Sequence, residues 1–244
     1  MIKAVVTGHS RGLGAAITNE LLTRDIAVLG LARRPHPDLA AAYPQTLREV
    51  AIDLADAAAL AHWLDSGALR AWLADAGAVL LINNAGMIGP VGALSVQDTA
   101  GIARAVALNV GAPLVLAAAV AADVPATVER RIVHVSSGAA RRAIAGWSVY
   151  CTTKAALDHH ARTVAEDAVP GLRICSLAPG VIDTDMQAEV RGSAPESFPL
   201  HAQFVEMKRS GALVSPADCA RRLVDYLLAV NFGREPVADL REVG

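Results

Sequence analysis

Tyr150 and Lys154 stand four residues apart in a segment with helical periodicity, with Ser137 upstream of them and a glycine-rich turn near the N-terminus. A phenol ordinarily titrates near pH 10, so it exchanges protons poorly at neutral pH unless something stabilises its phenolate. A lysine one helical turn further on, on the same face, can do so through its positive charge. A general acid whose pKa is moved toward the working pH is what carbonyl reduction requires. A Tyr-x-x-x-Lys pair also occurs by chance in many helices, so its meaning depends on the motifs around it.

The second chemical feature is the segment from Thr7 to Gly14, Thr-Gly-His-Ser-Arg-Gly-Leu-Gly, which follows a predicted strand and opens a predicted helix. Gly8, Gly12 and Gly14 allow a tight turn, and they let a pyrophosphate approach the backbone at the helix N-terminus. The spacing is Gly-x3-Gly-x-Gly, unlike the commoner Gly-x-Gly-x-x-Gly, and an ordinary glycine-rich βα turn is the alternative interpretation.

The end of the second predicted strand indicates which dinucleotide this turn would bind. Sites for NAD usually carry a carboxylate there, which accepts the ribose hydroxyls. This chain has Arg33 and Arg34 instead, which suit a 2′-phosphate and predict NADP(H), with Arg11 as a second clamp. A solvated surface pair is the alternative for the two arginines. Asp53 and Leu54, after the third strand, are predicted to bracket the adenine, although Asp53 could equally cap the next helix.

Short β-rich runs alternate with longer alanine- and leucine-rich segments along the whole chain. Strands that alternate with helices predict right-handed crossovers and an α/β Rossmann fold, with a doubly wound, mostly parallel sheet flanked by helices on both faces. The predicted strands are Ile2 to Thr7, Ile26 to Leu31, Leu47 to Ile52, Ala78 to Ile82, Arg131 to Ser136, Leu172 to Leu177 and Val237 to Leu240. The predicted helices are Leu13 to Thr23, Ala57 to Asp75, Thr99 to Ala122, Val149 to Asp167 and one that starts at Ser215-Pro216.

No linker divides the chain, so a single NADP-binding domain over 1–244 is expected. One stretch, 186–213, lacks clear periodicity and is rich in Gly, Ser, Pro and charge. In a domain otherwise so regular, such a stretch is a candidate substrate lid.

Composition excludes several classes of protein. With 244 residues, 53% of them hydrophobic, and a net charge of -2, the chain fits one large domain and has no electrostatic footprint for nucleic acid. No apolar run of about 18 residues lacks a charge or a breaker, so no membrane span is expected. Three cysteines without paired spacing and an N-terminus without a signal-peptide pattern predict a cytoplasmic protein. His9, His134, His159 and His160 show no ligand spacing, so no metal is expected.

The motifs together resemble the short-chain dehydrogenase/reductases over essentially the whole chain. The resemblance rests on Thr7 to Gly14, Asn83-Asn-Ala-Gly86, Asn109, Ser137, Tyr150-x3-Lys154 and Pro179-Gly180, in that order. A narrower likeness, to the sepiapterin reductases and their microbial benzil-reducing relatives, rests on Ser136-Ser-Gly-Ala-Ala, Gly146-Trp-Ser-Val-Tyr-Cys151 and Pro179-Gly-Val-Ile-Asp-Thr-Asp-Met-Gln187.

The family resemblance implies a role for each catalytic candidate. Tyr150 would donate its proton to the substrate carbonyl, and Lys154 would lower the pKa of that tyrosine and hold the nicotinamide ribose. Ser137 would hydrogen-bond the carbonyl oxygen, with Ser136 as the competitor for that role. Asn109 would anchor, through its backbone, a water that links Lys154 to solvent; the alternative is a tolerated polar residue on a helix.

The resemblance also implies cofactor contacts along the carboxyl ends of the strands. Asn83 would brace the sheet. Ile182 would bind the carboxamide through its backbone, and Thr184 would contact the carboxamide or the pyrophosphate or cap a helix. The predicted cofactor-binding residues are Gly8, Ser10, Arg11, Gly12, Leu13, Gly14, Arg33, Arg34, Asp53, Leu54, Asn84, Ala85, Gly86, Tyr150, Lys154, Pro179, Gly180, Ile182 and Thr184.

The substrate side is predicted from aromatic residues near the catalytic motif. Trp147, Phe198 and Phe204 could wall an apolar pocket beside Ser137 and Tyr150, although a lone aromatic residue is more often part of the core. A carboxylate near the C-terminus, Asp239 or Glu242, stands about where the sepiapterin enzymes anchor their pterin, but the surrounding sequence departs from their pattern.

The preferred hypothesis is an NADPH-dependent carbonyl reductase that acts on a small-molecule ketone or 1,2-dicarbonyl compound such as benzil. One alternative keeps the fold and changes the substrate to a pterin ketone or a steroid-type alcohol. Another class, a non-catalytic protein that senses NADP and regulates a partner, usually lacks the tyrosine, lysine or serine that this chain retains. The family further implies a homodimer or homotetramer built through the helices that carry Asn109 and Lys154.

Overall fold

A computed structural model of the chain describes residues 1–192 and 198–243, so 193–197 of the predicted lid lie outside the described residues. The described residues contain a seven-stranded sheet, in the order β3-β2-β1-β4-β5-β6-β7, in which every neighbouring pair is parallel. The strands are β1 (Ile2–Thr7), β2 (Ala27–Ala32), β3 (Leu47–Ala51), β4 (Ala78–Asn83), β5 (Glu129–Val135), β6 (Leu172–Ala178) and β7 (Val237–Asp239). The predicted strands are confirmed to within two residues at each end.

The helices depart further from the prediction. The expected helix from Ala57 to Asp75 is two helices, because Gly67 takes a left-handed conformation with φ of 75° between them. Three further helices, α2 (Pro37–Ala42), α8 (Asp185–Arg191) and α9 (His201–Arg209), were not predicted. Apart from Asp185, the last two lie within the stretch that was expected to be irregular. The helices are α1 (Gly12–Leu22), α2 (Pro37–Ala42), α3 (Ala57–Asp65), α4 (Ala68–Leu73), α5 (Thr99–Val106), α6 (Ala112–Asp123), α7 (Ser148–Glu166), α8 (Asp185–Arg191), α9 (His201–Arg209) and α10 (Pro216–Leu228).

Two hydrophobic clusters cover the two faces of the sheet. On β1, Ala4 and Val6 join the cluster that contains residues of α1 and α10, whereas Val5 joins the cluster formed with α4, α6 and α7. Alternate residues of a strand point to opposite faces, so a strand buried on both sides must be apolar throughout. The continuous apolar runs in β1, β2 and β4 therefore follow from their central position.

The helical run Thr99–Asp123 is long and apolar enough to cross a membrane by length and composition, with a mean hydropathy of 2.1. Its inner face packs on the sheet through Leu116 and Val120, which belong to the core. A five-residue π-helical turn, Ala107–Gly111, joins α5 to α6. Pro113 has no N–H, so the carbonyl of Asn109 has no donor four residues on and the α-helical pattern cannot continue through this point.

The strand order reverses direction between β1 and β4, and in sheets of this kind ligands bind at the point of reversal. Loops after β1 and β4 leave the sheet toward opposite faces and open a crevice at the carboxyl edge. The glycine turn follows β1, the Asn83-Asn84-Ala85-Gly86 segment begins at the end of β4, and Ser136-Ser137 follows β5. All three motifs therefore meet at one edge.

Candidate active site

The structure brings Tyr150, Ser137 and Lys154 together between β5 and the first turns of α7. The Ser137 hydroxyl lies near enough to the Tyr150 hydroxyl to favour its ionised form and so to act against the rise of its pKa. Lys154 lies one turn later, with its Nζ 5.7 Å from the centre of the Tyr150 ring and donating to the carbonyl of Val135 at 2.8 Å. Both Tyr150 and Lys154 are buried. A phenol, a hydroxyl and an ammonium group thus share one small volume, as proton donation to a carbonyl oxygen would need.

The two adjacent serines have different partners. Ser136 is buried and donates from Oγ to Asp158 Oδ1 at 2.7 Å. Asp158 also accepts from Ser176 Oγ at 2.7 Å and from Arg141 Nε at 3.1 Å. The hydroxyl of Ser136 is therefore committed to a structural network, and Ser137 is the serine that contacts Tyr150.

Asp158 was missed by the sequence reasoning. It is a buried carboxylate one turn after Lys154 on α7, and its negative charge opposes the loss of the lysine's proton. The i, i+4 spacing that singled out Tyr150 and Lys154, carried one turn further, would have found it.

The expectation that Tyr150 has a lowered pKa is wrong for this structure. Burial raises the pKa of Tyr150 to about 12, and the hydrogen bond from Ser137 opposes that rise only in part. Burial also lowers the pKa of Lys154 to about 8, against the nearby charge of Asp158. The physical reason is desolvation, which disfavours the charged form of each group when aromatic side chains cover the site. A phenol in this state is fully protonated at neutral pH, which is the form that a proton donor needs.

Asn109 lies buried in the π-helical turn. Its side chain accepts from the N–H of Met87 at 2.9 Å, donates to the carbonyl of Met87 at 2.8 Å and donates to Thr153 Oγ1 at 3.1 Å. These bonds tie the loop after Gly86 to α7, so the side chain is structural. The predicted role of Asn109 uses its backbone carbonyl, which Pro113 deprives of an α-helical partner.

The glycine turn fits a pyrophosphate. A Cβ on Gly14 would lie 2.0 Å from the carbonyl oxygen of Gly8, so only glycine allows the turn to close this tightly. Helix α1 begins directly after Arg11 and has no side-chain cap, which leaves its first N–H groups available to an anion. Ser10 and Leu13 lie in the same Thr7 to Gly14 segment, and the Leu13 side chain is in the core.

The segment after β4 braces that turn. The backbone N–H groups of Asn84 and Ala85 both donate to Thr7 Oγ1 at 2.9 Å. The Asn84 side chain donates back from Nδ2 to the carbonyl of Thr7 at 2.9 Å, so it holds the glycine turn. Asn83 donates from Nδ2 to His134 Nδ1 at 3.1 Å, within the sheet layer, in keeping with its predicted bracing role.

At the neighbouring strand ends, Arg33 and Arg34 are exposed after β2. Asp53 pairs with Arg104 of α5 at 2.7 Å, an ion pair that was not predicted and that lowers the pKa of the Asp53 carboxyl. The suggestion that Asp53 caps the next helix is wrong, because Asp56 accepts from the first N–H groups of α3. Leu54 is buried beside this pair.

The segment after β6 carries the predicted carboxamide site. Pro179 and Gly180 turn the chain, and Ile182 forms an isolated parallel bridge with Val214. That bridge uses the carbonyl of Val181 and the N–H of Asp183. The N–H and carbonyl of Ile182 therefore point to the other side, where a ligand could pair with them.

Thr184 and Arg11 lie on either side of the turn. A Cβ on Gly12 would be 3.5 Å from Thr184 Cγ2, so the start of α8 contacts the glycine turn directly. Arg11 forms a long contact of 3.5 Å with Asp185, and both side chains are largely exposed. The predicted clamp residue is thus held only weakly and remains accessible at the mouth of the turn.

Three aromatic residues cover Tyr150, and together the four form what we call the aromatic cluster: Trp147, Tyr150, Phe198 and Phe204. The Trp147 ring stacks on Phe198 with centroids 4.6 Å apart and an interplanar angle of 7°. The same ring meets Tyr150 and Phe204 edge-on, at 5.4 Å and 5.6 Å. The residues predicted to wall the substrate pocket therefore pack on one another, and Trp147 is the one that contacts the Tyr150 ring.

The carboxylates proposed for a pterin anchor lie in a different setting. Asp239 is buried at the end of β7, and both its oxygens bond Arg241, at 2.9 Å and 2.7 Å. A carboxylate paired in this way has little capacity left for a ligand. Glu242 is exposed in the turn that follows.

Comparison with known proteins gives one consistent family. The family model described as short chain dehydrogenase matches residues 3–194. A benzil reductase ((S)-benzoin forming) of Bacillus cereus is 30% identical, over 98% of this chain and 98% of its own. A sepiapterin reductase of Meriones unguiculatus is 35% identical, over 93% of this chain and 92% of its own.

Among solved structures, a short-chain dehydrogenase/reductase of Burkholderia vietnamiensis is 50% identical and aligns with a TM-score of 0.73. The alignment covers 100% of this chain and 98% of that one. Sequence and fold thus agree along the full length of the chain.

Proposed function

The chain belongs to the short-chain dehydrogenase family of nicotinamide-dependent oxidoreductases, and from that premise we propose that it reduces a ketone or 1,2-dicarbonyl compound with NADPH. The observation that carries the proposal is the contact of the Tyr150 hydroxyl with Ser137 beneath an apolar aromatic cluster, with Lys154 one turn away. These are the groups that a carbonyl oxygen needs as it gains negative charge.

When bound, the reduced nicotinamide supplies the hydride for the carbonyl carbon. Tyr150 donates its proton to the carbonyl oxygen, and Ser137 donates a hydrogen bond to the same oxygen as charge develops on it. The ammonium group of Lys154 stabilises the phenolate that forms on Tyr150. Because the site is buried, this charge acts through a medium of low polarity and is worth more than it would be in water.

The preference for NADPH rests on Arg33 and Arg34, two exposed guanidinium groups at the end of β2. Arginine presents a fork of donors that matches a phosphate, and a carboxylate at this strand end would instead favour the ribose hydroxyls of NADH. Asp53, the carboxylate among the cofactor candidates, forms its ion pair with Arg104, and its charge also acts on Arg33.

The substrate class rests on the aromatic cluster. Trp147 and Phe198 are buried and stack on each other next to Tyr150, so this side of the site is apolar and aromatic, which suits an aryl ketone or an aryl dicarbonyl compound if the stacked rings separate to admit it. The relation to benzil reductases points the same way. The pairing of Asp239 with Arg241 leaves Glu242 as the remaining candidate anchor for the pterin alternative.

We also propose that the chain forms a homodimer or a homotetramer through α5, α6 and α7. Val106 on α5 and Val115 on α6 are 47% and 43% exposed, respectively, although both are large apolar residues. Sedimentation would test the proposal, and a species of monomer mass at micromolar concentration would contradict it.

The first experiment is NADPH consumption with benzil, with the Tyr150→Phe variant run beside the wild type. We expect the variant to lose at least about a hundredfold in rate, since it lacks the proton, while its affinity for NADPH stays within about threefold. Retained turnover in the variant would contradict the role of Tyr150. Tight NADPH binding without turnover on benzil, other aryl ketones or pterins would favour a non-catalytic NADP sensor.

A further inference from the structure

One carboxylate, that of Glu49 on β3, connects two parts of the cofactor site. Its Oε1 accepts from His9 Nε2 at 2.6 Å and from the backbone N–H of His36 at 2.7 Å. His9 belongs to the glycine turn. His36 directly follows the loop that carries Arg33 and Arg34, and it caps α2 by accepting from the N–H of Leu39 at 3.2 Å. Glu49 therefore holds the turn and the arginine loop against each other.

The fit of His9 is close. Its side chain is fully buried, and it lies over Gly30 of β2, where a Cβ would come within 2.4 Å of the imidazole Cγ. Gly30 is also the residue that pairs with Glu49 across β2 and β3. The chain thus omits a side chain at one strand position, which leaves room for an imidazole to reach the carboxylate on the next strand.

The hydrogen bonds fix the tautomer of His9. Its Nδ1 is buried and has no partner within residues 1–192 and 198–243. The carboxylate oxygen of Glu49 already accepts from the N–H of His36 and is an acceptor toward the imidazole, so a proton on Nε2 completes this bond. Glu49 is mostly buried, with 14% of its side chain exposed.

We propose that Glu49 and His9 are positioning residues that set the preference for NADPH over NADH, an inference that rests on the proposed use of NADPH. The glycine turn would hold the pyrophosphate and the arginine loop the 2′-phosphate of the same nucleotide, so the spacing between them decides whether both can be bound together. An exposed loop with two arginines would lose that spacing without an anchor at its end. The hydrogen bond from His36 to Glu49 anchors the arginine loop. The hydrogen bond from His9 to Glu49 fixes the position of that anchor relative to the glycine turn.

The alternative role for Glu49 is that of the acid that accepts ribose hydroxyls in NAD sites. The two roles predict opposite changes in cofactor preference. Removal of a positioning residue should weaken NADPH binding selectively, whereas removal of a ribose acceptor should weaken NADH binding selectively.

The test is to measure dissociation constants for NADPH and NADH by fluorescence, without any carbonyl substrate. Glu49→Ala and His9→Asn are compared with the wild type, with Arg33→Ala/Arg34→Ala and with the combination of Glu49→Ala and the two arginine changes. We expect Glu49→Ala to weaken NADPH binding by about tenfold and NADH binding by less than about threefold. Added to the arginine variant, it should cost little further NADPH affinity, because the loop then has no charge left to place. Glu49→Gln, which keeps one acceptor oxygen, should fall between.

Equal losses for both cofactors would reduce Glu49 to a general support of the fold, and a selective loss of NADH would make it the ribose acceptor; either result overturns the proposal. If Glu49→Ala does not fold, as judged by its thermal melt, the same ratio measured for Glu49→Gln and His9→Asn decides. The wild-type ratio of the two constants tests the cofactor assignment itself, and a failed assay with benzil would leave all these binding results unaffected.

Discussion

The cofactor side and the substrate side of the crevice are built in different ways. On the cofactor side, the glycine turn after β1 is closed by backbone, with Gly8 and Gly14 in contact and the segment after β4 bonded to Thr7. On the proposed substrate side, side chains from the start of α7 and from the stretch 186–213 pack on one another, with Trp147 between Tyr150 and Phe198.

The two sides should therefore differ in how well they tolerate substitutions. Backbone atoms in contact cannot move apart without moving the strands that carry them, so a single added methyl group should disrupt the turn. Packed aromatic side chains can repack, so changes there should have graded effects on substrate binding and little effect on cofactor binding.

Gly14→Ala is the substitution that is expected to have the largest effect, and it tests this difference most directly. Its Cβ would stand 2.0 Å from the Gly8 carbonyl oxygen, so the turn must open and NADPH affinity should fall by at least about a hundredfold. Gly138→Ala is the matched control, because a Cβ there meets nothing within 4 Å. Equilibrium dialysis or fluorescence titration of both variants measures the effect, and near-normal binding by Gly14→Ala would mean that the turn does not hold the cofactor.

A second test separates charge from backbone within the cofactor side. Replacement of Arg33 and Arg34 together by Ala should weaken NADPH binding by about thirtyfold, since two charge-assisted contacts with the 2′-phosphate are lost, and should change NADH binding little. Arg162→Ala, at an exposed position of α7, is the control for removal of surface charge. Equal losses for the two nucleotides would contradict the 2′-phosphate assignment.

On the substrate side, Trp147→Ala should raise the KM for benzil by about tenfold, because it removes the ring that stacks on Phe198 and borders Tyr150. Trp147→Phe keeps an aromatic face and should stay within about threefold of the wild type. NADPH affinity should be nearly unchanged in both variants. A loss of NADPH affinity as large as the change in KM would show that the two sides are not independent.

The smallest expected effect is the pH dependence of reduction. Burial lowers the pKa of Lys154 to about 8, so the ammonium charge is fully present below that pH and is lost as the pH rises through it. The value of kcat/KM, which reports the free enzyme, should therefore halve near pH 8 and fall further above it, while Tyr150, with a pKa of about 12, stays protonated. A pH–rate profile that is flat from pH 7 to 10 would mean that the charge of Lys154 does not assist the proton transfer.

The contrast also explains where the sequence was informative. Three patterns are local, because each involves residues close together in the sequence: the glycine spacing, the two arginines after β2, and the Tyr150-x3-Lys154 pair. The alternating strands and helices likewise follow from local periodicity, which predicted all seven strands. By contrast, the break at Gly67 and the helices α8 and α9 went unpredicted, since short helices held by tertiary packing have weak local signals.

By itself, the sequence determined the family, the order of the strands along the chain, and the residue types at the carboxyl edge of the sheet. The sequence already favoured Ser137 over Ser136, and the tertiary structure supplied the physical reason, since Asp158 binds Ser136 from 22 residues away in the chain. Only the tertiary structure decided that Asp239 is paired, that Glu49 joins His9 to His36, and that the pKa of Tyr150 is raised. Each of these depends on burial and on partners distant in sequence, and desolvation acts on a group only once the fold has surrounded it.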